Sequence, residues 1–87
     1  MKMVIAIVSD RSDAPVLERL AAEGYGVTRV ASTGGFMLRG NVTLFIGVPD
    51  EREQTVIDLL RNTCCPPEAG QHRATIFVLD ARHLERI

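Results

Sequence analysis

Apolar residues follow two rhythms along this chain. Met3 to Val8 is an unbroken apolar run closed by Ser9-Asp10, the pattern of a buried strand. The period then changes: Val16, Leu17, Leu20 and Ala21 recur at helical spacing, with Glu18, Arg19 and Glu23 on the other side. Asp13 reads as the N-cap of this helix, Pro15 as a first-turn residue and Gly24 as its C′ terminator. Tyr25 to Ser32 is a second strand of mixed character. After a glycine-rich stretch, Val42, Leu44, Ile46 and Val48 alternate with Thr43, Phe45 and Gly47, giving a third strand. A second helix is predicted from Asp50, where Glu53 completes a capping-box-like pair and Val56, Ile57, Leu59 and Leu60 face inward. Cys64 to Arg73 is a connection broken by Pro66-Pro67. Ala74 to Leu79 is a fourth strand, and Asp80 to Ile87 a short helical tail.

The order is β-α-β-β-α-β, two similar halves in which a strand leads into an Asp-started helix. It predicts an α+β, ferredoxin-like fold: a four-stranded antiparallel sheet with two helices on one face, as a single domain over residues 1–87. One conflict is built into this arrangement. The first and last strands are apolar on both sides, yet two helices cover only one face of a sheet. A half-exposed antiparallel sheet would alternate polar and apolar residues. The second face is therefore expected to be covered by another copy of the chain, which makes the protein a homo-oligomer.

Composition narrows the function without naming it. The 87 residues carry a net charge of −1, so no basic surface advertises a nucleic-acid partner. Nine of the ten basic residues are Arg, which carries no functional weight here. No apolar run approaches the roughly 20 residues that span a bilayer, and Met3 to Val8 is too short for a signal-peptide core. The expected location is the cytoplasm. Asp10, Asp13, Asp50 and Glu53 are better explained by helix capping than by acid–base chemistry. No neighbouring segments pair a nucleophile with a base, and the chain does not read as an enzyme. Cys64 and Cys65 form no disulfide framework. With His72, and with His83 across an oligomer, they suggest a soft-metal site of the copper type. The competing reading packs Cys64 at the end of the second helix as a small apolar group.

The chemistry concentrates between strands two and three, in Ser32-Thr33-Gly34-Gly35-Phe36-Met37-Leu38-Arg39-Gly40-Asn41. Glycines let backbone N–H groups approach a ligand, and consecutive N–H groups form an anion-binding concavity. Hydroxyls and Arg39 add donors, and Phe36 offers a flat face to a ring. A sharp turn accounts for the glycines alone. It does not account for the density of polar groups around one aromatic. The segment reads as a site for a ligand with phosphate and a flat base.

Thr33-Gly34-Gly35-Phe36 followed by Gly40-Asn41-Val42-Thr43, after the opening Met-Lys-Met-Val-Ile-Ala-Ile-Val, resembles the PII-like cyclic-di-AMP receptors of the PstA/DarA type. The resemblance extends to Phe45-Ile46-Gly47-Val48-Pro49-Asp50, Asn62-Thr63-Cys64 and Ala74-Thr75-Ile76-Phe77-Val78-Leu79, and so covers most of the chain. It implies a homotrimer with the nucleotide in clefts between subunits, no cofactor, and a regulatory output to an unidentified target protein. Carried over by position, it implies that Thr28 donates to a phosphate and that the N–H groups around Gly34 and Gly35 line the cleft. Phe36 would face an adenine, Asn41 would read its edge, and Gly47 and Phe77 would lie close to the ligand. Met37 and Arg39 belong to the same implied site.

Departures from the family pattern are specific. Gly26 stands where a basic residue is usual, Arg39 is displaced by one place, and Cys64 to Arg73 replaces a longer loop. Arg29, Arg39 and Arg73 are on segments that would border the implied cleft and are candidates to supply positive charge, Arg39 the best of them, since Arg29 follows Thr28 and should point to the opposite face. Three further readings stay open at this point. They are a PII-like sensor of ATP or ADP, a trimeric interaction scaffold without ligand, and a copper-type metal-binding trimer.

Overall fold

The computed structural model of the chain describes residues 1–31, 41–64, 74–83, 85 and 87. Its elements are β1 (Lys2–Ser9), α1 (Asp10–Ala22), β2 (Val27–Ala31), β3 (Asn41–Val48), a 3-10 turn (Asp50–Arg52), α2 (Glu53–Thr63) and β4 (Ala74–Asp80). The strands form one antiparallel sheet in the order β2-β3-β1-β4, which is the predicted ferredoxin-like α+β arrangement.

Period-2 alternation divides the sheet into two unlike faces. Val4, Ala6 and Val8 of β1 and Val42, Leu44, Ile46 and Val48 of β3 point to the helices and are buried. They pack with Val16 and Leu20 of α1, Val56, Leu59 and Leu60 of α2, and Cys64 just beyond it. Cys64 thus occupies the small apolar place proposed for it, at the end of the second helix. On the opposite face, Met3, Ile5 and Ile7 are half-buried while Val30, Phe77 and Leu79 are exposed. That face is the apolar surface the sequence left without cover.

Three local expectations are corrected. Helix α1 begins at Asp10, not after Asp13, because the Ser9 hydroxyl accepts from the Arg11 N–H at 3.2 Å and caps it. The inward row runs Ser12, Val16, Leu20 at four-residue spacing, so a buried polar residue extends the helix backwards beyond its apolar residues. Pro15 therefore lies inside the helix rather than in its first turn, with its ring exposed. Asp13, no cap, ion-pairs with Arg29 of β2 at 2.5 Å and ties the edge strand to the helix. At the second helix, Asp50 makes no capping box. Its carboxylate binds the Met1 ammonium at 2.7 Å, and a 3-10 turn precedes α2. The tail from Asp80 is also not helical: β4 takes Asp80, which pairs with Lys2 across the sheet, and Ala81 to His83 form no regular element.

The end of α1 is as expected. Gly24 adopts φ 85°, the Gly24 N–H bonds the Ala21 carbonyl at 3.0 Å and the Tyr25 N–H bonds the Leu20 carbonyl at 3.0 Å. This Schellman closure turns the chain into β2 and fixes where Thr28 falls.

Candidate functional site

Four of the predicted site residues are on described segments. Thr28 is on edge strand β2, Asn41 and Gly47 at the two ends of β3, and Phe77 on the opposite edge strand β4. All four share the open face of the sheet. The register shows it: Thr28 pairs with Phe45, Phe45 with Ile5, and Ile5 with Phe77, a straight row across all four strands. Asn41 and Gly47 have the same parity as Phe45 and so lie on that same side. Arg29 points the other way, as its position after Thr28 predicts, and is used by Asp13. Gly34, Gly35, Phe36, Met37 and Arg39 lie outside the described residues, as do Arg73, Cys65 and His72.

A common face is not a common point. Thr28 and Phe77 stand three strand spacings apart, roughly 14 Å. Asn41 and Gly47 are separated by about 20 Å along β3, at the usual rise of an extended strand. Within one protomer these residues do not converge on a single small ligand.

What does converge lies around Thr28 and Gly47. A concavity of about 910 Å³ opens there, walled by Met3, Val27, Phe45 and Val48, with the Thr28 hydroxyl inside it and Asp50 and Glu51 at its rim. Gly47 lines it without a side chain, and a Cβ there would meet only the Met1 methyl, at 4.0 Å. Asp50 is held below its ordinary value, first by its hydrogen bond to the Met1 ammonium and then by that charge itself. Lys2, beside it on the rim of the sheet, is raised by its hydrogen bond and charge contact with Asp80. The concavity thus offers apolar walls, the Thr28 hydroxyl and two carboxylates. Its apolar walls are of a kind that accepts the flat face of a ring.

Phe45, Asp50 and Glu51 contribute to this surface and are not among the predicted site residues. The signal for Phe45 was present, since its parity with Gly47 and Asn41 places all three on one face. Nothing in the run Asp50-Glu51-Arg52 distinguishes it from a solvated helix start. For a metal, no group of three or more His, Cys, Asp or Glu side chains gathers among the described residues, and His83 pairs with Glu85 at 3.2 Å. None of the described helices is long and apolar enough to cross a membrane.

The comparison with known families decides the relationship. The family model described as "Cyclic-di-AMP receptor" matches residues 1–76, the greater part of the chain. The chain belongs to the cyclic-di-AMP receptor family. Among solved structures it is similar to a functionally unknown protein from Pediococcus pentosaceus ATCC 25745, at 28% identity and a TM-score of 0.80. That likeness covers 99% of this chain and 96% of the other, so the two folds correspond nearly end to end. Membership of a receptor family points to binding rather than to a chemical reaction.

Proposed function

We propose that this protein is a cytoplasmic signalling protein that assembles as a homotrimer and binds cyclic-di-AMP in clefts between subunits. One observation carries the reading. The residues expected to hold the ligand lie on opposite edges of an open apolar face, too far apart for one ligand within one protomer. A second copy resolves both problems. It covers Val30, Phe77 and Leu79, and it brings an edge carrying Thr28 near another protomer's site residues.

The chemistry of the ligand fits the parts. Two adenines want apolar or aromatic slots, for which Phe45 and Met3 offer walls. The phosphodiesters want donors, which the Thr28 hydroxyl and the Asn41 amide supply, and the resemblance adds Gly34, Gly35 and Arg39 to the same role. Binding would favour one arrangement of the assembly over another and so alter the surface offered to a target protein.

A thermal-shift series tests this reading with cyclic-di-AMP, ATP, ADP, cyclic-di-GMP and copper. The expected result is a rise in Tm with cyclic-di-AMP that is lost in Asn41→Ala. A rise with ATP or ADP alone would move the protein to the PII-type sensors. A response to copper that disappears in Cys64→Ala would favour the metal reading. No shift with any ligand would leave a scaffold.

A further inference from the structure

The concavity beside Gly47 does not end at the edge of the sheet. A smaller one, of about 350 Å³, lies between the α1–β2 turn and the turn before α2. Gly26, Gly47 and Pro49 line both. Two of these three are glycines, so among the residues that line both spaces only Pro49 contributes a side chain. They differ in character. The larger has apolar walls with the Asp50 and Glu51 carboxylates at one side, while the smaller presents Glu23, Tyr25 and Arg52.

The charges there are unequally committed. Glu23 faces Arg19 at 4.0 Å on α1, Asp50 holds the Met1 ammonium, and exposed Glu51 enters none of the ion pairs among the described residues. Arg52 is exposed, and its side chain enters none of the ion pairs among the described residues. Its backbone is nevertheless fixed, since the Arg52 N–H bonds the Pro49 carbonyl at 2.9 Å and closes the 3-10 turn. A guanidinium on an anchored turn, opening onto a polar space joined to an apolar one, is suited to an anion tethered to a ring.

We propose that the two concavities form one ligand groove in which Arg52 is the anion-binding residue. The apolar part takes the flat base and Arg52 takes the phosphate attached to it. This assignment rests on the nucleotide-binding reading given above and adds to it the residue that meets the negative charge. It also gives a role to Gly26, whose missing side chain leaves the passage between base and phosphate open.

The test is titration calorimetry on the full chain with cyclic-di-AMP, comparing wild type, Arg52→Gln and Arg52→Lys at several salt concentrations. Adenosine is the phosphate-free probe, measured by competition, and melting curves of each variant report folding. Arg52→Gln is expected to bind cyclic-di-AMP about tenfold more weakly with a shallower salt dependence, and to keep its melting curve and its adenosine affinity. Arg52→Lys is expected to fall between the two, because it keeps the charge and loses the fork. Wild-type affinity and salt dependence in Arg52→Gln would overturn the assignment, as would an equal loss for adenosine. Wild-type chain that gives no heat with cyclic-di-AMP would overturn the receptor reading and the Arg52 assignment together.

Discussion

The two faces of this sheet are made by the same strands from nearly the same kinds of residue, yet they behave as different materials. On the helix side, Val4, Leu44 and Ile46 are fully buried and belong to one packed cluster. On the other side, Phe77 and Leu79 are each 52% exposed although both are large and apolar. What separates them is cover, not composition. Two helices of 13 and 11 residues shield one face of a four-stranded sheet and leave the other to be completed from outside. The packed face makes the fold, and the open face carries Thr28, Asn41, Gly47 and Phe77, the described residues that the resemblance implies for the ligand.

That contrast can be broken most forcefully at its packed side. Leu44→Ala removes a fully buried side chain between sheet and helices and is expected to cost about 3 kcal/mol, read by chemical denaturation. Phe77→Ala, on the same sheet but the open side, is expected to cost less than about 1 kcal/mol in the dissociated chain. If the two losses were equal, the faces would not differ as described. Phe77→Asp sharpens the comparison differently: wild type is expected to sediment as a trimer and this variant as a monomer, with its circular dichroism unchanged.

The link between the faces is Asp13–Arg29, which holds edge strand β2 against α1 while Thr28 points outward. Arg29→Ala is expected to lower stability by about 1 kcal/mol, since Asp13 is largely buried and loses its partner. Restoration by the exchanged pair Asp13→Arg with Arg29→Asp would confirm the tether, and additive losses in a double-mutant cycle would refute it.

The smallest expected effect is electrostatic. Asp50 is depressed below its ordinary value of 3.8 by the Met1 ammonium. A depressed carboxylate contributes stability that is complete above that ordinary value and is lost as pH falls through its folded, lower one. Between wild type and Asp50→Asn, the difference in Tm is expected to be constant near neutrality and to shrink only below about pH 4. A difference that instead changed between pH 6 and 7 would place the effect elsewhere.

Much of this was readable from the chain. Alternation in β3 and helical spacing in α1 and α2 gave the element order, and Gly24 marked where α1 ends because its positive φ admits little else. The errors share a cause: a local signal was outbid by a distant partner. Asp13 resembles an N-cap but is taken by Arg29, sixteen residues on. Asp50 resembles half a capping box but is taken by the chain's own first residue. Ser9 and Ser12 were passed over because a search for apolar spacing does not see a polar cap or a buried hydroxyl. For the site, parity within β3 places Asn41 and Gly47 on one face, and the register is what joins Thr28 and Phe77 to them. Parity says nothing of distance, so the spread of those residues across the sheet emerges only from the register. Arg52 was invisible for a third reason. Its setting depends on Gly26 and Pro49, which no periodicity brings together.

The central claim is that the open face joins copies of this chain and that cyclic-di-AMP is held where they meet. Native mass spectrometry of the chain mixed with cyclic-di-AMP reads assembly and ligand together. The account predicts a species of three chains carrying up to three nucleotides, with neither trimer nor ligand retained in Phe77→Asp. A monomer that binds the nucleotide, or a trimer that binds none, would contradict it.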